Sequence, residues 1–185
     1  MSNGAKIMIT IENSGLFIID VQGTLAEQMH ESSALFKNLS ILIQGAKLLG
    51  IPIVWVEQLP DKLGSTHKEV VQHLPGEAIS KSTFSAWGNN EVRSQIEKLN
   101  RRNWLVAGIE CHVCVYQTVR DLLKMHYDVH VVSDAVSSRT QDNKRIGLEA
   151  MQSAGAKLTS TEMVLFELQQ KAEGEVFKQL IKLIK

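Results

Sequence analysis

The stretch Asn103–Met125, NWLVAGIECHVCVYQTVRDLLKM, decides the fold. Its opening, Asn103 to Ile109, is a short apolar run that reads as a strand, and its close, Val113 to Met125, reads as a helix. Parallel strands cannot be joined by tight hairpins and need crossover connections, which are usually helices. A strand feeding straight into a helix is therefore one half of a parallel crossover unit. The turn between the two halves, GIECHVCV, holds both cysteines of the chain, Cys111 and Cys114.

The same alternation extends outward in both directions. Toward the N-terminus, GLFIID (Gly15–Asp20) is an apolar run ending in an acid, and Val21 to Thr24 has the look of a loop. Leu35, Leu39, Leu42, Ile43, Ala46 and Leu49 recur at three- and four-residue spacing, which puts them on one face of a helix over 33–49 that Gly50 stops. IPIVWVE (Ile51–Glu57) is a strand, with Pro52 tolerable at its start. Gln58 to Gly76 carries Pro60, Gly64 and Pro75 and is expected to be a long loop interrupted by a short helix. AISK (Ala78–Lys81) is a short strand, and Asn90–Leu99 a helix. Toward the C-terminus follow a strand (Asp128–Ala135), a helix (Asp142–Ser153) and a last short strand in AKLTS. The pattern predicts an α/β chain with a parallel sheet and helices on both faces. The tail places Val176, Phe177, Leu180, Ile181 and Ile184 on one helical face, expected to dock on the core or on a second subunit.

Composition bounds the function. At 185 residues the chain suits one domain, 1–185, and 44% hydrophobic with 22% charged residues is ordinary for a soluble globular protein. Lys plus Arg and Asp plus Glu both number 20, so no net charge draws the chain toward nucleic acid or anionic lipid, and neither is expected as a partner. The first ten residues, MSNGAKIMIT, lack the basic and long apolar regions of a secretory signal, and no apolar run approaches the ~18 residues that span a bilayer. The expected location is the cytoplasm. There a Cys-x-x-C is better read as reactive, metal-binding or merely buried than as a structural disulfide.

In open parallel sheets, ligands bind beyond the carboxyl ends of the strands. Asp20 ends the first strand, Lys81 the third, and Cys114 follows the fourth, so an acid, a base and a thiol converge on one rim. Each has a bland reading alone: Asp20 as a turn former, Lys81 as a solvated side chain, Cys114 as a small buried hydrophobe. Together they solve a chemical problem, because a free thiol with a pKa of about 8.5 is mostly protonated near neutrality. A helix N-terminus and a nearby ammonium would favour the thiolate, and a carboxylate could take the proton. The expectation is one low-pKa thiol, Cys114, at the start of its helix.

FIIDVQ around Asp20, KSTFSAW from Lys81, VAGIECHVCVYQT around Cys114 and VVSDAVSSR up to Arg139 resemble, in order and spacing, the isochorismatase-like cysteine hydrolases, which include nicotinamidases and N-carbamoylsarcosine amidase. The resemblance runs nearly the length of the chain. It implies a three-layer, Rossmann-like fold with a six-stranded parallel sheet, a catalytic triad of Asp20, Lys81 and Cys114, and a homo-oligomer, a dimer or tetramer. It further implies a cis peptide at Ile109–Glu110 that aims the backbone N–H of Glu110, with that of Cys114, at a substrate oxygen. The substrate class so implied is a small molecule with an amide or carbamoyl C–N bond, cleaved through a thioester. Metal-binding nicotinamidases carry Asp-x-His after the second strand, whereas here Glu57-Gln58-Leu59-Pro60 stands there; no metal and no cofactor are expected, and His67 and His73 are read as surface residues. Gln58, Phe84 and Trp87 are candidate pocket residues, with packing under the loop equally open to the two aromatics.

Three other readings compete. A thiol–disulfide redox pair of Cys111 and Cys114 has the right local setting, but all three prolines precede the pair, leaving no Pro loop opposite it. Half of a zinc site needs two more ligands, and His126 lies at the far end of the helix from Cys114, about 18 Å away at 1.5 Å per residue. The third is a binding or assembly module that keeps the scaffold without turnover.

Overall fold

The computed structural model describes residues 8–185. Strands β1 (Ser14–Ile19), β2 (Ile53–Gln58), β3 (Ile79–Lys81), β4 (Asn103–Gly108), β5 (Asp128–Val136) and β6 (Lys157–Thr159) form one sheet in the order β3-β2-β1-β4-β5-β6. All its pairings are parallel. The helices are α1 (Gly23–Glu27), α2 (Ser32–Leu48), α3 (Pro60–Leu63), α4 (Lys68–Val71), α5 (Asn90–Leu99), α6 (Tyr116–Lys124), α7 (Gln141–Ser153), α8 (Thr161–Gln169) and α9 (Gly174–Ile184).

Strict side-chain alternation explains why the strand sequences read as unbroken apolar runs. Leu16 and Ile18 of β1 join Leu105, Ala107 and Val132 in one core, beneath α2, α8 and α9. Phe17 and Ile19 join Val54, Val56, Trp104, Val106 and Val131 in the other, beneath α5, α6 and α7. A strand covered on both faces needs apolar side chains at every position. Of the face expected for the tail helix, Leu180 is fully buried and Val176 and Ile184 pack against the first core, joined by Leu183, while Phe177 meets Phe166 of α8 with ring centroids 6.2 Å apart.

The order of strands places the site. From β1 the chain steps outward to β2 and β3, then returns so that β4 pairs on the other side of β1. Adjacent crossovers leave in opposite directions there, opening a crevice at the carboxyl ends of β1 and β4. Close approach of the two strands depends on Gly108, which has φ +122 and would drive a Cβ to 2.1 Å from the Ile19 carbonyl oxygen.

The structure departs from expectation at three places. The segment after Asp20 winds into α1, the 58–76 segment holds two short helices, and α8 occupies a stretch with no helix assigned from sequence. α8 is capped by its own Ser160, whose hydroxyl accepts from the Met163 N–H at 3.3 Å, and is tied to β5 by Asp134 Oδ1, which accepts from both the N–H and the hydroxyl of Thr161 at 2.8 and 2.9 Å. The serine cap is an ordinary local signal that the sequence reading passed over, whereas the tie from another strand is invisible to local patterns. No helix among the described residues is long and apolar enough to cross a membrane.

Candidate active site

Asp20 follows the last residue of β1 with φ 52, a left-handed conformation that Asp tolerates better than most residues. Its N–H donates to the Val56 carbonyl at 3.2 Å and its own carbonyl accepts from Gln22 at 2.8 Å, so the turn is held on both sides. Lys81, the last residue of β3, has a fully buried side chain. Its Nζ donates to Asp20 Oδ2 and to Gln58 Oε1, each at 2.6 Å, and lies 3.1 and 3.3 Å from the carbonyl oxygens of Thr83 and Phe84. Four oxygens around three N–H groups leave the ammonium no free donor for a substrate. Its work is to hold Asp20 and to neutralise the site.

Asp20 Oδ1 is buried and has no hydrogen-bond partner among the described residues. The Cys114 thiol is close enough to Asp20 for each group to perturb the other's ionisation. Burial raises the Asp20 carboxyl above its ordinary value, with Lys81 opposing. Cys114 is pushed up to about 12, by burial first and then by the charge of Asp20, with Lys81 too fully paired to reverse the sum. The expectation of a low-pKa thiol is therefore corrected. Burial and the charge of Asp20 both favour the neutral thiol, and Asp20 keeps one oxygen open.

The turn that carries Cys114 differs from expectation too. The Ile109–Glu110 peptide is cis. The chain then winds from Cys111, three residues after the end of β4, through a wide π-type turn (Cys111–Val115) into α6. The Glu110 carbonyl accepts from the N–H groups of both Val113 and Val115, at 3.0 and 3.2 Å, and so starts the winding before Val113. Cys111, expected in the preceding turn, is the first helical residue, and Cys114 lies within the first turn. Cys111 is fully buried, its thiol pushed up to about 12 by burial, and its Sγ lies 3.6 Å from the Lys144 carbonyl of α7. The Glu110 carboxylate faces the other way, accepting from Arg139 Nε at 3.2 Å.

The remaining candidates separate. Gln58 joins the Asp20–Lys81 pair by accepting from Lys81, and its Nε2 donates to the Ser82 carbonyl at 3.0 Å. Trp87 packs under the loop, 8% exposed and edge-on to Tyr127 with ring centroids 5.7 Å apart, whereas Phe84 is 58% exposed at the rim. His67, expected at the surface, is buried and stacked on Phe36 at 4.3 Å, its Nε2 3.4 Å from Glu27. His73 stands over α2, its carbonyl taken by Lys47. Glu57 spends its carboxylate on the N–H and hydroxyl of Thr66. Among the described residues, no three His, Cys, Asp or Glu side chains are placed to hold a metal ion.

Sequence reading missed Gln22. Fully buried, it donates through Nε2 to the Gln58 and Gly64 carbonyls at 3.1 and 2.6 Å, and its Oε1 accepts from the Gln58 N–H at 2.6 Å. It fastens the end of β1 to the end of β2, and only its place two residues after Asp20 could have signalled it. Surface hollows of about 290 and 490 Å³, against α7 and between α2 and α9, are lined by none of Asp20, Lys81 and Cys114. Chemistry rather than volume marks the site.

The isochorismatase domain model matches residues 14–163, which include Asp20, Lys81 and Cys114. The secreted isochorismatase effector Isc1 of Phytophthora sojae is 38% identical over 94% of this chain and 85% of its own. The MAR1 ribonuclease of Caenorhabditis elegans superposes with a TM-score of 0.89 at 33% identity, over 96% of this chain and 92% of its own. The YcaC gene product of Escherichia coli, an octameric hydrolase of unknown specificity, has a TM-score of 0.91 over 98% of this chain and 92% of its own; at 19% identity it speaks to the fold alone. A match to the domain model over most of the chain, with relatives of this identity along nearly its whole length, makes this chain a member of the isochorismatase-like hydrolase family.

Proposed function

We propose that the protein is a cysteine hydrolase that cleaves the C–N bond of a small amide or carbamoyl compound through a thioester. One observation carries this reading: a thiol stands beside a carboxylate whose Oδ2 is locked by a buried ammonium and whose Oδ1 is open. Because Cys114 is a thiol at rest, attack and deprotonation go together. Sγ bonds to the substrate carbonyl carbon as Asp20 Oδ1 takes the thiol proton. The backbone N–H groups of Glu110 and Cys114 receive the developing oxyanion. Asp20 passes its proton to the leaving nitrogen, the C–N bond breaks, and an amine or ammonia departs. Asp20 then deprotonates a water that attacks the thioester, releasing the acid and restoring the thiol. Lys81 keeps Asp20 ionised between proton transfers.

No step calls for a metal, and the side chains of Glu57 and His67 are committed elsewhere. The reading includes a homo-oligomer, dimer or tetramer, and a cytoplasmic location, since both cysteines are free thiols and suit a reducing compartment. A second reading, phosphodiester cleavage, is raised by the resemblance to the nematode ribonuclease. Balanced charge gives RNA little to hold on to.

A panel of small amides, ureido compounds and a short RNA, assayed with Cys114→Ala as the blank, tests the proposal. Ammonia or amine release by the wild type alone, surviving dialysis against a chelator, is the expected result. RNA cleavage lost in Cys114→Ala, with no amide turned over, would replace the reading. Activity lost to the chelator and restored by one metal would overturn its metal-free part.

A further inference from the structure

One helical face joins the nucleophile to the loop of the lysine. Cys114, Thr118 and Asp121 stand four and three residues apart, so their side chains share a side of the turn and of α6. The fully buried Thr118 hydroxyl donates to the Cys114 carbonyl at 2.7 Å and accepts from the Ala86 N–H at 2.9 Å. Three residues on, Asp121 Oδ2 accepts from the Ser85 hydroxyl at 2.5 Å. The segment gripped in this way is the one whose Thr83 and Phe84 carbonyls surround the Lys81 ammonium.

A helical Thr that bonds back to the carbonyl four residues earlier is commonplace. Thr118 does more, because its hydroxyl commits its single proton to the nucleophile's turn and a lone pair to another segment. We propose that Thr118 is a positioning residue, its hydroxyl fixing the Cys114 turn against the Lys81 loop and thereby the thiol against the Asp20–Lys81 pair, with Asp121 the second tie. This rests on the hydrolase reading. Removal of the hydroxyl leaves the Ala86 N–H unpaired in a buried place and cuts the tie to the Cys114 carbonyl, and the two segments relax apart. Misplacement of reacting groups by about 1 Å can cost ~10²-fold in rate. Thr118 touches neither the thiol nor the carboxylate, so the loss falls on kcat rather than KM.

The test compares wild type with Thr118→Val, which keeps the shape, and Thr118→Ser, which keeps the hydroxyl. Cys114 alkylation by iodoacetamide is followed by mass spectrometry across pH, and kcat and KM are measured on an amide that the wild type turns over. Thr118→Val should slow alkylation ~10-fold near neutral pH and lower kcat ~10- to 100-fold with KM within ~3-fold, and Thr118→Ser should restore both. Alkylation and turnover unchanged in Thr118→Val, or a Thr118→Ser as slow as the valine variant, would overturn the proposal. Should Thr118→Val fail to fold, Asp121→Ala carries the test: alkylation slowed ~3-fold or more supports the junction, and unchanged alkylation overturns it. Alkylation needs no substrate. If no amide is hydrolysed yet the threonine effect on alkylation persists, the hydrolase reading fails and the positioning role stands.

Discussion

The two cysteines, three residues apart in one turn, occupy opposite surroundings. Both thiols are pushed up to about 12, and burial is the first cause for each. Cys111 then faces α7, its sulfur against the Lys144 carbonyl and close enough to Gly147 that an added Cβ there would meet it at 3.0 Å. Cys114 faces a carboxylate, an ammonium and a hydroxyl junction. The difference teaches that the ionisation of the free thiol does not distinguish the proposed nucleophile from a packing residue here. A base within reach does.

That contrast can be broken at its strongest point first. Cys114→Ser should leave essentially no turnover, because serine keeps the shape but loses the soft nucleophile. Asp20→Asn comes next. It removes the proton acceptor, and a fall of ~10²- to 10⁴-fold in kcat/KM with retained fold is expected; near-normal rates would take Asp20 out of the mechanism.

The third prediction is a pH profile. A protonated Asp20 cannot accept the thiol proton, and its pKa is raised, so activity should fall as pH drops through an acid limb lying above the ordinary carboxylate value. On the alkaline side, iodoacetamide should modify Cys114 ahead of Cys111, with a rate still climbing above about pH 9 and no plateau near neutrality. A plateau near pH 7 would reveal a preformed thiolate and restore the simpler expectation.

Two smaller effects sharpen the other half of the comparison. Gly147→Ala crowds Cys111 and should destabilise by ~1–3 kcal/mol in a denaturant titration, with turnover per folded molecule unchanged. Cys111→Ser should keep turnover within ~3-fold and cost about 1 kcal/mol of stability, a typical single-site effect. A redox pair requires both sulfurs, so a Cys111→Ser as inactive as Cys114→Ser would end the hydrolase account of this turn.

Much of this was legible in the chain itself. Strands covered on both faces announce themselves as apolar runs, which is why GLFIID, IPIVWVE and NWLVAGI fell within a residue or two of their observed positions. The rule on strand ends brought Asp20, Lys81 and Cys114 to one rim before any coordinates. What stayed hidden was set by partners distant in sequence. Gln22 binds a strand thirty-six positions away, and Thr118 bonds a loop thirty-two positions back. The direction of the Cys114 shift was hidden for the same reason. Helix position and a neighbouring lysine can be read from sequence, but the depth of burial and the prior commitment of Lys81 to other oxygens cannot.

Lys81 has one more consequence, and it concerns folding. Its four oxygen partners come from the end of β1, the end of β2 and the segment just after β3, so its charge is satisfied only when all three have docked. Asp20 and Lys81 stand 61 positions apart, and contacts of such range form late because loop closure must precede them. Turnover should therefore reappear on refolding after helical structure has returned. An activity assay would then time the closing of this edge of the sheet, where circular dichroism follows the rest.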